Sequence, residues 1–168
     1  MKRDPVRASV LATKIIPNVA ADLAKELGLL PGEKSLALVT SDCDDVTYTA
    51  LDEATKKADC RVAYAKSFYA GAANANTTLA GEIIGILAAP NPAEAKAGLA
   101  PCVDMIENVC HFVSANEDDT IVYYAHCISR TGSYLSEGAG IAEGEALAYL
   151  IAHHLEGMYG VDAALKAA

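Results

Sequence analysis

The chain repeats itself once, and the second copy runs out part-way. Gly28-Leu29-Leu30-Pro31-Gly32-Glu33-Lys34 recurs as Gly140-Ile141-Ala142-Glu143-Gly144-Glu145-Ala146, from 28 to 140, an offset of 112. Leu51-Asp52-Glu53-Ala54-Thr55-Lys56-Lys57-Ala58 matches Val161-Asp162-Ala163-Ala164-Leu165-Lys166-Ala167-Ala168, from 52 to 162, an offset of 110, so a loop is two residues shorter in the second copy. The copies keep glycines and small residues at fixed spacing, as shared turns and close packing require. The repeat predicts a complete first module over residues 1–115 and the front half of a second over 116–168, lacking everything equivalent to Cys60 onward. Half a module cannot close its own core. Strands expected near 121–128 and 146–152 then bare an apolar face unless the first copy, a neighbouring subunit or a segment beyond Ala168 covers it, and that segment is the expectation.

Short β runs alternate with amphipathic helices along the chain. Strands are predicted over 10–16, 35–40, 60–65 and 82–88, with helices from Asn18 to Gly28 and over 46–58. Asn91-Pro92-Ala93-Glu94 opens a helix with proline in its first turn, running to about Phe112 with an irregularity at Pro101. In the second copy a helix follows from about Gly157. Such alternation reads as α/β, an α+β sandwich. Between the third and fourth strands, residues 67–79 are too long for a tight turn and too rich in Gly, Ala and Asn for a core element.

Charge and composition exclude several function classes. A net charge of −9, with 13 Lys and Arg against 22 acids and no basic cluster, argues against nucleic acid as a partner. Five cysteines without close pairing do not make a disulfide framework and read as small buried apolar residues. Lys14 and Asn18 break the first apolar run, so no secretory core follows the start, and no uncharged stretch reaches membrane-spanning length; the reading is cytoplasmic. Nucleophile elbow, P-loop and dinucleotide glycine patterns are all absent, so the chain does not read as an enzyme.

Asp44 and Asp45, with Asp42 close by, are the first candidates for chemistry. An aspartate at a strand-to-helix junction is an ordinary N-cap. Two adjacent carboxylates exceed what one cap needs, because like charges repel unless a cation joins them. Phe68 and Tyr69 head the 67–79 spacer, which is either a surface loop or a movable plug. A lone strand histidine is more often a satisfied structural residue than a ligand, and His126 carries no ligand-pair spacing.

Four separated motifs carry a resemblance. Ser41-Asp42-Cys43-Asp44-Asp45-Val46-Thr47-Tyr48, Ser67-Phe68-Tyr69-Ala70-Gly71-Ala72-Ala73, Pro90-Asn91-Pro92-Ala93-Glu94-Ala95 and Ser129-Arg130-Thr131-Gly132-Ser133-Tyr134-Leu135-Ser136 resemble the ethanolamine-utilization microcompartment shell proteins of the L type, across essentially the whole chain. The resemblance implies two tandem, circularly permuted shell domains, the second incomplete here, in pseudo-hexagonal homotrimers that tile a microcompartment shell with other shell proteins. It implies an ethanolamine site in small pores at Asp44, Asp45 and Glu82, lined by Phe112, and a central pore gated by the loop of Phe68, Tyr69 and Gly71. With the partner loop of the second copy missing, residues 68–79 are expected to be open or disordered. No cofactor is required for this role. Zinc at His126 and Glu156, and a corrinoid, are further ligands the resemblance adds; Glu156 falls where Asp45 would fall at an offset of 111, from 45 to 156. A cytosolic module sensing a small amine, with no shell role, uses the same residues, and assembly into sheets separates the two.

Overall fold

An edge strand of an antiparallel sheet can stay open to water, whereas a central strand covered on both faces must be apolar throughout. The computed structural model describes residues 4–69 and 81–168 and assigns these roles to the first two predicted strands. In one sheet β2 (Val10–Ile16) lies at the edge, followed by β3 (Ser35–Ser41), β5 (Gly81–Ala89) and β4 (Arg61–Tyr69), all antiparallel. Most of β3 is buried, while most of β2 is exposed. The other sheet has the order β1 (Pro5–Arg7), β6 (His111–Ser114), β7 (Val122–Ile128) and β8 (Leu147–Ile151), again antiparallel.

Two long helices connect the sheets. Helix α2 (Asp44–Lys57) carries acids in its first turn and Lys56 and Lys57 in its last, the polarity that the helix dipole favours. Helix α3 (Pro92–Asp104) is capped by Asn91, whose Oδ1 accepts from the amides of Ala93 at 2.9 Å and Glu94 at 3.0 Å. The main core joins Ala37, Val39 and Leu87 of the first sheet, Val46 and Leu51 of α2, Cys102 of α3 and Tyr124 of the second sheet. A smaller cluster around Leu36, Ile86 and Ala88 covers the other face of the first sheet.

The repeat recurs as structure. Strand β2, helix α1 (Ala21–Glu26), β3 and α2 come back as β7, α4 (Ser133–Ala139), β8 and α5 (His154–Ala167). Gly28 and Gly140 end α1 and α4 at φ of 60° and 67°, and Gly32 and Gly144 stand at 102° and 91°, left-handed positions that glycine adopts without strain. Glu33 accepts from the Leu30 amide at 2.7 Å as Glu145 accepts from Ala142 at 3.2 Å.

Four expectations change. The helix from Asn91 does not reach Phe112: beyond Pro101, which removes a helical hydrogen bond, Met105–Val109 forms a π-helical turn, and Phe112 lies in β6. Helix α2 starts at Asp44 rather than Val46. Strand β4 continues through Ser67 and Phe68 to Tyr69, so the head of the spacer is strand. The second sheet takes β1 and β6 from residues before 115. Gly71 and the expected opening of the loop lie outside the described residues.

The apolar surface expected on the second-copy strands appears mainly on α5, which has no buried residue and exposes Leu155, Met158, Tyr159 and Leu165. Among the described residues no helix is long and apolar enough to cross a membrane. All five cysteines are free thiols; burial pushes Cys43 and Cys102 up to about 12 and Cys60 to about 11, while Cys127 is exposed.

Candidate functional site

The acid pair is set by the turn from β3 into α2. Ser41 Oγ accepts from the Cys43 amide at 3.2 Å and lies 2.5 Å from the Thr47 hydroxyl, fixing the chain's entry into the helix. The N-cap is Cys43, without a side-chain cap, so Asp44 and Asp45 are first-turn residues rather than caps. Asp44 Oδ2 accepts from the Ser67 hydroxyl of β4 at 2.6 Å, and Oδ1 from the Asp45 amide at 3.0 Å. Asp45 Oδ1 accepts from the Tyr149 phenol of β8 at 2.8 Å. The two carboxylates therefore tie the first sheet to the second. Asp42 accepts from the Ser9 amide at 2.7 Å.

Burial raises the Asp45 carboxyl above the ordinary carboxylate range, the Tyr149 bond opposes the rise, and the charge of Asp44 adds to it. Beside the pair, a cavity of about 490 Å³ is lined by Tyr48, Tyr134, Leu135, Glu137, Gly138 and Tyr149. Burial and the two aspartates also push the Tyr48 phenol up, and burial takes Tyr134 to about 12. Neutral rings beside two carboxylates suit a small cation with a short apolar stem.

Tyr149→Phe isolates one of these contacts. A raised folded pKa means that Asp45 favours folding below the ordinary aspartate value and loses that contribution as pH rises through its folded pKa. Removing the opposing phenol should raise the carboxyl further and cost about 1–2 kcal/mol at neutral pH. Carboxyl titration followed by NMR in both proteins checks this; an unshifted Asp45 would refute it.

Of the other expected residues, Glu82 is near the pair along the backbone but not in side-chain direction. Ile83 pairs with both Ser41 and Ser67, and Ser67 faces Asp44, so strand alternation turns Glu82 and its partner Phe68 to the opposite face. Phe112 packs 5.3 Å from Tyr124 and lines a separate pocket with Val6, Arg7 and Cys43. The backbone of Tyr69 ends β4. His126 stacks on Tyr124 at 5.8 Å in a polar pocket with Asp52, Glu53 and Lys56, and burial followed by the Lys56 charge lowers its pKa. Glu156 lines another pocket, with Tyr123 and Leu150, on the far face of the second sheet. Helices α2 and α5 begin 110 residues apart, from 44 to 154, which brings Leu155 rather than Glu156 to the place of Asp45. The chain does not bring His126 and Glu156 together, and no group of three His, Cys, Asp or Glu that could hold a metal forms among the described residues.

Sequence reasoning missed Ser67 as a ligand of Asp44, and missed Tyr48, Tyr134 and Tyr149. The one available signal was the repeat, since carrying α1 forward by 112 predicts α4, on which Tyr134 sits.

No protein-family model matches the chain. The bacterial microcompartment shell protein EutL of Clostridium perfringens is 65% identical over 168 residues, covering 100% of this chain and 77% of that protein. This chain belongs to the EutL family of bacterial microcompartment shell proteins. The EutL shell protein of Escherichia coli is 51% identical over 165 residues, 98% of this chain and 75% of that one. The crystal structure of the ethanolamine utilization protein EutL from Leptotrichia buccalis matches with a TM-score of 0.92 at 67% identity, covering 100% of this chain and 77% of that one. The fold is thus the mixed α/β fold of EutL, and the chain is a microcompartment shell component, of a family named as shell proteins rather than enzymes.

Proposed function

We propose that this EutL-family chain forms shell facets as homotrimers, two shell modules per chain meeting near residue 115, and that it binds ethanolamine at Asp44 and Asp45 in a small pore while the loop after Tyr69 gates a central one. The observation that carries the ligand reading is the half-buried carboxylate pair anchored to Ser67 and Tyr149 beside a tyrosine-lined cavity. A protonated amine supplies three donors for the carboxylates, and its methylenes can rest on the rings. The chemistry is binding: burial and the neighbouring aspartates push the Cys43 thiol beside the acids up, away from the thiolate.

Calorimetry with ethanolamine tests the site. Asp44→Asn and Asp45→Asn should each weaken binding by about 1–3 kcal/mol, since a charge-assisted bond is lost with little change in shape. Affinity should fall as pH drops, because Asp45, whose carboxyl burial holds above its ordinary range, takes up a proton and loses its charge. Unchanged affinity in both variants would remove ethanolamine from the pair. Glu82→Gln separates two geometries: no effect means a site within one face of one chain, and a loss means that Glu82 reaches the amine from a neighbouring module. Light scattering at micromolar concentration should give three chain masses; a monomer would refute the trimer.

A further inference from the structure

The cavity beside Asp44 and Asp45 is much larger than ethanolamine. Its volume of about 490 Å³ falls within the range of roughly 300–1,000 Å³ that suits drug-sized ligands, whereas ethanolamine has only four non-hydrogen atoms. None of its lining residues lies on α5.

The lining also has an order. On α2, Tyr48 follows Asp44 and Asp45 by four and three residues, the spacings that put side chains on one face. Its ring stands 6.2 Å from that of Tyr134 on α4, and Glu137 follows Tyr134 by three residues on the same helix. Two helical steps of about 5–6 Å and the ring contact place the acid pair and Glu137 on the order of 10 Å apart. Tyrosine rings lie between them. Glu137 is exposed, and among the described residues no ion pair engages it. Arg61, which feels the Glu137 charge, is held by Glu33 through Nε at 3.0 Å and a terminal nitrogen at 2.8 Å. Gly138 leaves that end open, since a Cβ there would meet no atom within 4 Å.

We propose that this cavity binds a linear polyamine, with one ammonium held by Asp44 and Asp45, a second by Glu137, and the methylenes between them on Tyr48 and Tyr134. This rests on the acid pair holding an ammonium group and extends that reading to a longer ligand with charge at both ends. An ionised carboxylate only accepts hydrogen bonds and an ammonium only donates them, so each end of the chain meets its complement. The rings suit the segment between, because carbon next to an ammonium carries part of its charge and is drawn to an aromatic face. Ethanolamine spans one end only.

Calorimetry of the purified protein with spermidine, propylamine and ethanolamine tests the site. Spermidine should bind at least about tenfold tighter than either monoamine, since a second ammonium adds a charge-assisted bond. Glu137→Gln keeps the shape and should cut that preference by at least about tenfold, while Asp45→Asn should weaken all three ligands. Glu26→Gln, at an exposed acid on α1, controls for general attraction to a chain of net charge −9. Equal losses at 26 and 137 would mean surface attraction only and overturn the site. In NMR spectra the Tyr48 and Tyr134 ring signals should move as spermidine is added; unmoved rings overturn the placement. Ethanolamine binding through Asp45 without a preference for spermidine overturns the polyamine and leaves the ethanolamine reading standing. Spermidine binding through Asp45 and Glu137 with no ethanolamine binding does the reverse.

Discussion

Replacing Asp52 by alanine should cost about 4 kcal/mol of stability, because two hydrogen bonds to a charged acceptor, each worth about 1.5–3 kcal/mol, disappear together and leave buried amides unpaired. Asp52 of α2 clamps the start of α4, accepting from the Gly132 and Leu135 amides at 2.8 Å each, and the Lys56 ammonium 3.6 Å away loses its buried counter-charge. The loss should not be uniform. Strands β3 and β5 keep their partners, whereas α4 loses its anchor to α2, so hydrogen exchange should rise first in α4 and the turn that follows it. Asp52→Asn keeps the shape but turns an NH₂ toward a backbone donor, and should fall between alanine and wild type. Urea denaturation measures the cost. A change under about 1 kcal/mol, small against the bonds removed, would mean that the clamp adds little to the fold.

Gly132→Ala should be nearly as damaging, for a different reason. The backbone there is at φ −83°, which any residue accepts, so the glycine is needed for space alone. The added methyl would meet Thr55 Oγ1 at 2.2 Å and the Asp52 carbonyl at 2.6 Å. Rotating Thr55 relieves the first clash; the second is with backbone and requires α2 and α4 to move apart. Overpacking of this kind costs about 1–3 kcal/mol, and here it also stretches the two Asp52 bonds. The double variant Gly132→Ala with Thr55→Ala should recover only part of the loss. Full recovery in thermal unfolding would show that the carbonyl contact yields freely.

The turns and the central elements were legible because their causes are local. Glycines at 28 and 32, repeated at 140 and 144, fix left-handed turns wherever they occur, and the apolar run of β3 reads as a strand. Acids at 44 and 45 marked a helix start within two residues. What stayed hidden is decided across the chain. Strands β1 and β6 have three and four residues and exist because they pair with each other, so neither carries a periodicity of its own. The same holds in the site. Asp44 and Asp45 stood out as an unusual pair, but Ser67 and Tyr149 become their partners only once β4 and β8 flank α2. Glu82 and Phe112 entered through the family resemblance, and strand alternation and core packing turn them elsewhere within the chain.

The pairing of β1 with β6 also sets a timetable for synthesis. Val6 meets Phe112 across 106 residues, from 6 to 112, so the first strand leaves the ribosome long before its partner is made. At about 5–20 residues per second that wait is about 5–20 s, much longer than the microseconds in which a hairpin forms. The first sheet contains no such gap between its outer pair, since β2 and β3 are close in sequence, and it can close while β1 remains an unpaired end. The protein should therefore assemble from its second strand outward, with its earliest residues among the last to find their place.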